Sequence, residues 1–300
     1  MNSKKLGITT LYRLTMIGLF GFTVLCNTGC GSDNITQPAV SPGEAGVDED
    51  VAVSVASAVA EETGGAVDQV GDIVAAAACS DFEDLDASLE SEPGTTAEMN
   101  YDEGEGLWII TLSRERGNPS GNPYASIHRV YTLQYLTENG TPQKYWVVDT
   151  DTATTINCTV REGDGLHRTT FLAQELNALD AEFTATGTNT PVATINGTYH
   201  RSASDEITSR GADRTADNVI DLILVDVKAP LGDRSDLALN ISGTITGTYQ
   251  AEIEFTGKDL YFERSVYRNI QINLGSGDAV ITVENKIFTG DISTGELNGL

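Results

Sequence analysis

Between Thr15 and Ser113 the chain has no lysine or arginine, against 19 aspartates and glutamates. With a formal net charge of −26, the molecule lacks the cationic surface that phosphate backbones require, which excludes nucleic acid as a partner. Anionic lipid headgroups are repelled for the same reason. Cysteine and histidine are scarce, four and three residues, and nothing in their spacing resembles a metal-ligand set. No apolar run reaches the roughly 20 residues of a membrane-spanning helix. G-x-S-x-G, P-loop, H-E-x-x-H and dinucleotide signatures are all missing, so no catalytic residue and no cofactor is indicated.

What is present is most specific at the start. Lys4, Lys5 and Arg13 form a basic region, and Leu14 to Leu25 an apolar stretch of about a dozen residues, the order of an export signal. It ends in Asn27-Thr28-Gly29-Cys30, which resembles the lipobox of bacterial lipoproteins, with Asn27 where that family usually carries leucine. The resemblance implies cleavage after residue 29, acyl chains on Cys30, and a membrane partner reached through that lipid anchor. Gly31 after the cysteine implies the outer membrane or cell surface. Losing the three basic residues of the leader moves the net charge from −26 to −29, so attachment must rest on lipid rather than on a polybasic patch.

Cys26 leaves with the leader and Cys30 is the lipid site. Cys79 and Cys158 then remain in an oxidising compartment, where a disulfide between them is expected. Closing a loop of about 80 residues would contribute about 4 kcal/mol.

The organisation read from composition is a signal at 1–29, a small, polar, proline-containing tether at 30–46, a helical acidic segment with a loop at 47–105, and an antiparallel β domain at 106–300. Val67, Val70, Ile73 and Val74 form a helical stripe, and Thr63-Gly64-Gly65 interrupts the Ala/Val run. Two helices are therefore predicted, about 48–62 and 66–78. Residues 81–105 read as an acidic linker. From Gly106 onward, apolar–polar alternation and closely spaced turns predict strands at 106–113, 125–137, 143–149, 153–160, 166–175, 179–186, 192–201, 217–228, 237–247, 248–256, 259–273 and 278–289. The expected fold is mainly β: a large antiparallel meander sheet, curved or barrel-like, whose concave face takes the Ala/Val helices. The segments at Thr155–Val160, Thr194–Tyr199 and Thr244–Tyr249 share one alternation, which points Ile, Cys158 or Gly, and Val or Tyr inward.

Each of the three histidines precedes an arginine: His128-Arg129, His167-Arg168 and His200-Arg201. On strands, such pairs place a row of His on one face and a row of Arg on the other. Arg129, Arg168 and Arg201 are thus weak candidates for an anion-binding lane, since guanidinium forks match carboxylate or phosphate. Asp149 with Asp151, Asp226 with Asp233 and Asp236, and Asp278 are weak calcium candidates without EF-hand spacing. Taken together, the sequence points to a lipid-anchored, extracytoplasmic, non-enzymatic interaction or structural module whose protein or small-molecule partner is unknown. Two alternatives are a small-ligand carrier using the concave face of the sheet and a hydrolase with dispersed active-site residues.

Overall fold

The structure, a computed structural model, describes residues 46–209, 212–232, 234–257 and 260–299. The leader, the tether and Cys30 lie outside the described residues.

Three helices come first: α1 (Val47–Val59), α2 (Ala66–Ala76) and α3 (Phe82–Leu89). Asp48, Glu49 and Asp50 occupy the first turn of α1, where the positive end of the helix dipole favours carboxylates. Valine is a modest helix former. Here burial overrides propensity, because α2 is buried at every position and α1 at all but two. The predicted break falls where expected. Thr63 donates its Oγ1 proton towards Ser57 O (2.6 Å) and Ala60 O (3.1 Å), capping α1. Gly64 takes φ +78°, and a Cβ on Gly65 would lie 2.6 Å from Ala60 O, so the reversal between the helices requires both glycines. Asp81 accepts a hydrogen bond from Asp84 N and starts α3.

The strands follow as β1 (Thr95–Asp102), β2 (Leu107–Gly117), β3 (Tyr124–Leu136), β4 (Pro142–Gln143), β5 (Val147–Val148), β6 (Asp151–Thr152), β7 (Thr155–Arg168), β8 (Leu172–Thr186), β9 (Val192–Ser209), β10 (Ala212–Pro230), β11 (Ser242–Gly257), β12 (Leu260–Gly275), β13 (Asp278–Val283) and β14 (Lys286–Asp291). A 3-10 turn (Arg234–Asp236) and a short helix α4 (Leu237–Asn240) precede β11. The main sheet is an antiparallel meander in the order β1-β2-β3-β7-β8-β9-β10-β11-β12-β13-β14, with β4 paired to β3. Edges β1 and β14 do not pair with each other, so the sheet is curved but is not a closed barrel. The acidic stretch 81–105, expected as linker, instead supplies α3 and edge strand β1. The strand expected at 166–175 is split between the end of β7 and the start of β8, which runs on without a break through 179–186; those at 237–247 and 248–256 give way to α4 and a single β11, and 278–289 divides into β13 and β14.

Helices α1 and α2 fill the concave side. Side chains reach them from β2 and β3 (Arg114, Arg129), from β7, β8 and β9 (His167, Gln174, Asp205), and from β12 (Arg268). Only a sheet that wraps round the helical hairpin can do this. Register shifts at Arg161 in β7, Asn177 in β8 and Val225–Asp226 in β10 add the local bend and twist of β-bulges. The shared alternation holds on all three repeats: Ile156, Cys158, Ile195, Tyr199, Ile245 and Tyr249 are buried, and Gly197 leaves room for the ring of Phe183.

Candidate functional site

Two polar clusters lie inside the trough, one on each helix. Asp68 and Asp72 stand at i and i+4 of α2, on one face of the helix. Asp68 meets Arg114 Nη1 (2.5 Å), Arg129 Nη1 (2.6 Å) and Arg234 Nη2 (2.6 Å). Asp72 meets Arg234 Nη1 (2.5 Å), Arg114 Nη2 (3.2 Å) and Arg129 Nη2. Gly71 makes room for this, since a Cβ there would sit 2.6 Å from the Arg234 guanidinium carbon. Burial by itself would raise both carboxyls. The surrounding guanidiniums outweigh it and hold them below the ordinary carboxylate range. At the rim, Glu61 lies 3.5 Å from Arg234 Nε, and burial pushes its carboxyl up to about 7 despite that neighbour.

The cluster on α1 runs through hydroxyls and an amide. Ser57 Oγ lies 2.9 Å from His167 Nδ1 and donates to Gln174 Oε1 at 2.9 Å. Gln174 Nε2 donates to Asp205 Oδ1 at 2.7 Å, Arg201 Nη2 donates to Gln174 Oε1, and Ser54 Oγ donates to Asp205 Oδ2. Burial, with Arg201 nearby, lowers the His167 imidazole to about 4, so the ring is neutral at pH 7. Burial raises the Asp205 carboxyl against the hydrogen bonds it accepts. This joins a serine, a histidine and an acid, but Ser57 is wholly enclosed. Its hydroxyl cannot meet a substrate, so it is not a hydrolytic nucleophile.

The anion-binding lane is not formed. Arg129 is enclosed between Asp68 and Asp72, Arg201 is buried on Gln174, and Arg168 donates to Pro119 O and stacks over Tyr124 (4.9 Å to the ring centroid). The single-file facing of the three pairs also fails. His128 and His200 turn outward with their arginines inward, whereas His167 turns inward and Arg168 outward. The bulge at Arg161 reverses the parity of β7 between Val160 and His167.

The expected disulfide is likewise corrected: Cys79 and Cys158 are both buried free thiols. Cys79 donates its thiol proton to Ala75 O at 3.3 Å just beyond α2, and Cys158 packs inward from β7. Burial pushes the two thiols up to about 11 and about 12, which keeps them protonated. Among the calcium candidates, Asp149 adopts positive φ in a turn and Asp226 at the bulge of β10, and Asp233 lies outside the described residues. Among the described residues, no three acidic, histidine or cysteine side chains gather in a way that would hold a metal ion.

Sequence reasoning missed the ionic centre of the molecule. Asp68 and Asp72 carry a legible signal, two carboxylates four apart on an Ala/Val helix in a segment devoid of cations. Nothing local indicates that their partners are Arg114, Arg129 and Arg234, up to 166 residues away. No helix among the described residues is long and apolar enough to cross a membrane. No protein family matches the chain, and neither a curated protein nor a solved structure does.

Proposed function

We propose that the chain is exported and held at a membrane by acyl chains on Cys30, and that the strand-built body serves there as a non-enzymatic interaction or structural module. The observation that carries this reading is the order of the first thirty residues: basic, apolar, then small residues before a cysteine. Two features of the body support it. Helices α1 and α2 occupy the concave face, where a carrier of the expected kind would keep its hollow. The groups that could act in catalysis are committed to one another, with Asp68 and Asp72 on guanidiniums and Ser57 enclosed. A plugged, internally cross-braced sheet suits a rigid body that presents its outer face.

The test is fractionation of Cys30→Ser. The variant moves from membrane to soluble fractions while keeping the circular dichroism of the wild type, and the wild-type mature N-terminus carries the mass of diacylglycerol and an amide-linked acyl chain. Membrane retention of the variant, or a mature N-terminus without lipid, overturns the reading.

A further inference from the structure

The donor and acceptor roles around His167 can be fixed by elimination. Arginine has no acceptor, so the Gln174 atom facing Arg201 is the amide oxygen, Oε1. Ser57 Oγ also faces that oxygen, at 2.9 Å, and must donate its one proton to it. With that proton committed, Ser57 can only accept from His167, whose Nδ1 lies 2.9 Å away. The neutral ring therefore carries its proton on Nδ1 and a bare lone pair on Nε2. The fixed tautomer depends on a chain that begins at Asp205, since Gln174 is also held there through its Nε2.

The ring itself is only 5% exposed, yet Nε2 has no hydrogen-bond partner among the described residues and is not among the buried polar atoms left unpaired. Its outlet is a pocket of about 240 Å³ between the start of β3, the end of β7 and the segment after β14. His167, Arg116, Tyr124, Thr294, Glu62 and Glu296 line it. Arg116 is already engaged, donating to Glu61 O at 2.9 Å and lying 3.5 Å from both Glu92 and Asp68. Glu62 accepts only a serine hydroxyl, from Ser293 at 2.9 Å, and the Glu296 carboxylate accepts no hydrogen bond among the described residues. The uncompensated charge at the pocket is therefore negative, and its floor presents an acceptor.

We propose that this pocket is a binding site for a small organic ammonium compound, which donates an N–H to His167 Nε2 and places its positive charge beside Glu62 and Glu296. Its volume lies below the several hundred Å³ of pockets for drug-sized ligands, so the ligand has only a few heavy atoms. Affinity for such a ligand is on the order of millimolar. Ser57 is a positioning residue, acting through the hydrogen bond it accepts from the ring Nδ1–H.

The experiment uses the full chain labelled with ¹⁵N-histidine, which gives three imidazoles and makes His128 and His200 internal controls. At pH 7 His167 is expected to show a protonated Nδ1 and a bare Nε2. Ethanolamine shifts that Nε2 saturably, while ethylene glycol, of similar size but uncharged, binds more weakly. Glu296→Gln, on an exposed loop, weakens ethanolamine binding about two- to fivefold, the range for an exposed charge pair. Ser57→Ala frees the tautomer and moves the Nε2 signal towards the average of the two forms. A proton on Nε2 in the wild type, ethanolamine shifts that are absent or shared equally by all three histidines, or equal binding of ethanolamine and ethylene glycol overturns the proposal.

Discussion

Helices α1 and α2 lie in the same trough, yet they are fastened by different chemistry. Helix α2 carries two carboxylates into a wholly buried site, where three guanidiniums meet them. Helix α1 carries two hydroxyls into a site of amide, imidazole, one guanidinium and a single acid. An enclosed ion pair is costly to break, because removing one partner strands the other's charge away from water. A neutral hydrogen bond that loses one partner leaves a smaller debt. The hairpin is therefore fixed ionically along α2, whereas α1 keeps its ion pairs to the first turn, at Asp48 and Asp50, and is held by hydrogen bonds at Ser54 and Ser57, next to the pocket.

The largest effect tests that contrast directly. Asp68→Ala is expected to cost about 3–5 kcal/mol in urea unfolding, against about 1 kcal/mol for Ser57→Ala. Equal costs would erase the distinction between the two helices.

The next prediction uses one titrating group from each side. Glu61 is raised from 4.5 to about 7, so its contribution is fully present below pH 4.5 and is lost as pH rises through about 7. His167 is lowered from 6.5 to about 4, so its contribution is present above pH 6.5 and is lost as pH falls through about 4. Across roughly pH 4.5–6.5 the two slopes oppose each other, and these two groups together leave stability nearly level. Glu61→Gln is expected to stabilise the protein by roughly 3 kcal/mol at pH 8, with the gain fading towards pH 4.5. It also uncovers the rising slope due to His167. Thermal melts from pH 4 to 8 check this, and an unchanged profile in the variant would show that Glu61 titrates normally. The smallest expected effect concerns the thiols: adding dithiothreitol leaves the unfolding midpoint unchanged, whereas a loss of about 4 kcal/mol would reveal a Cys79–Cys158 bridge.

The fold was largely legible where one periodicity ran unbroken. The stripe of Val67, Val70, Ile73 and Val74 and the Thr63-Gly64-Gly65 interruption located both trough helices, and alternation from Gly106 onward located most of the meander. Edge strand β1 escaped because it has one neighbour and a weakly apolar face of half-buried Ala97, Met99 and Tyr101. Bulges were invisible for a different reason. One extra residue at Arg161 leaves the composition untouched and exchanges the two faces beyond it, which brought His167 inward and sent Arg168 out. The ionic cluster and the His167 relay were illegible because their members are joined only by the tertiary wrap, with Ser57 and His167 separated by 110 residues.

The turn after α1 is held by the far end of the chain: Glu61 N donates to Ile292 O and Glu62 N to Ser293 O, both at 2.8 Å. A nascent polypeptide would thus synthesise its filling first and could not enclose it until residues 292 and 293 had emerged. A fragment ending before residue 292 holds the charges and their counter-ions but lacks that clasp. Closure of the body therefore waits for Ile292 and Ser293, and the helices that fill the trough are locked only by strands and a clasp made long after them.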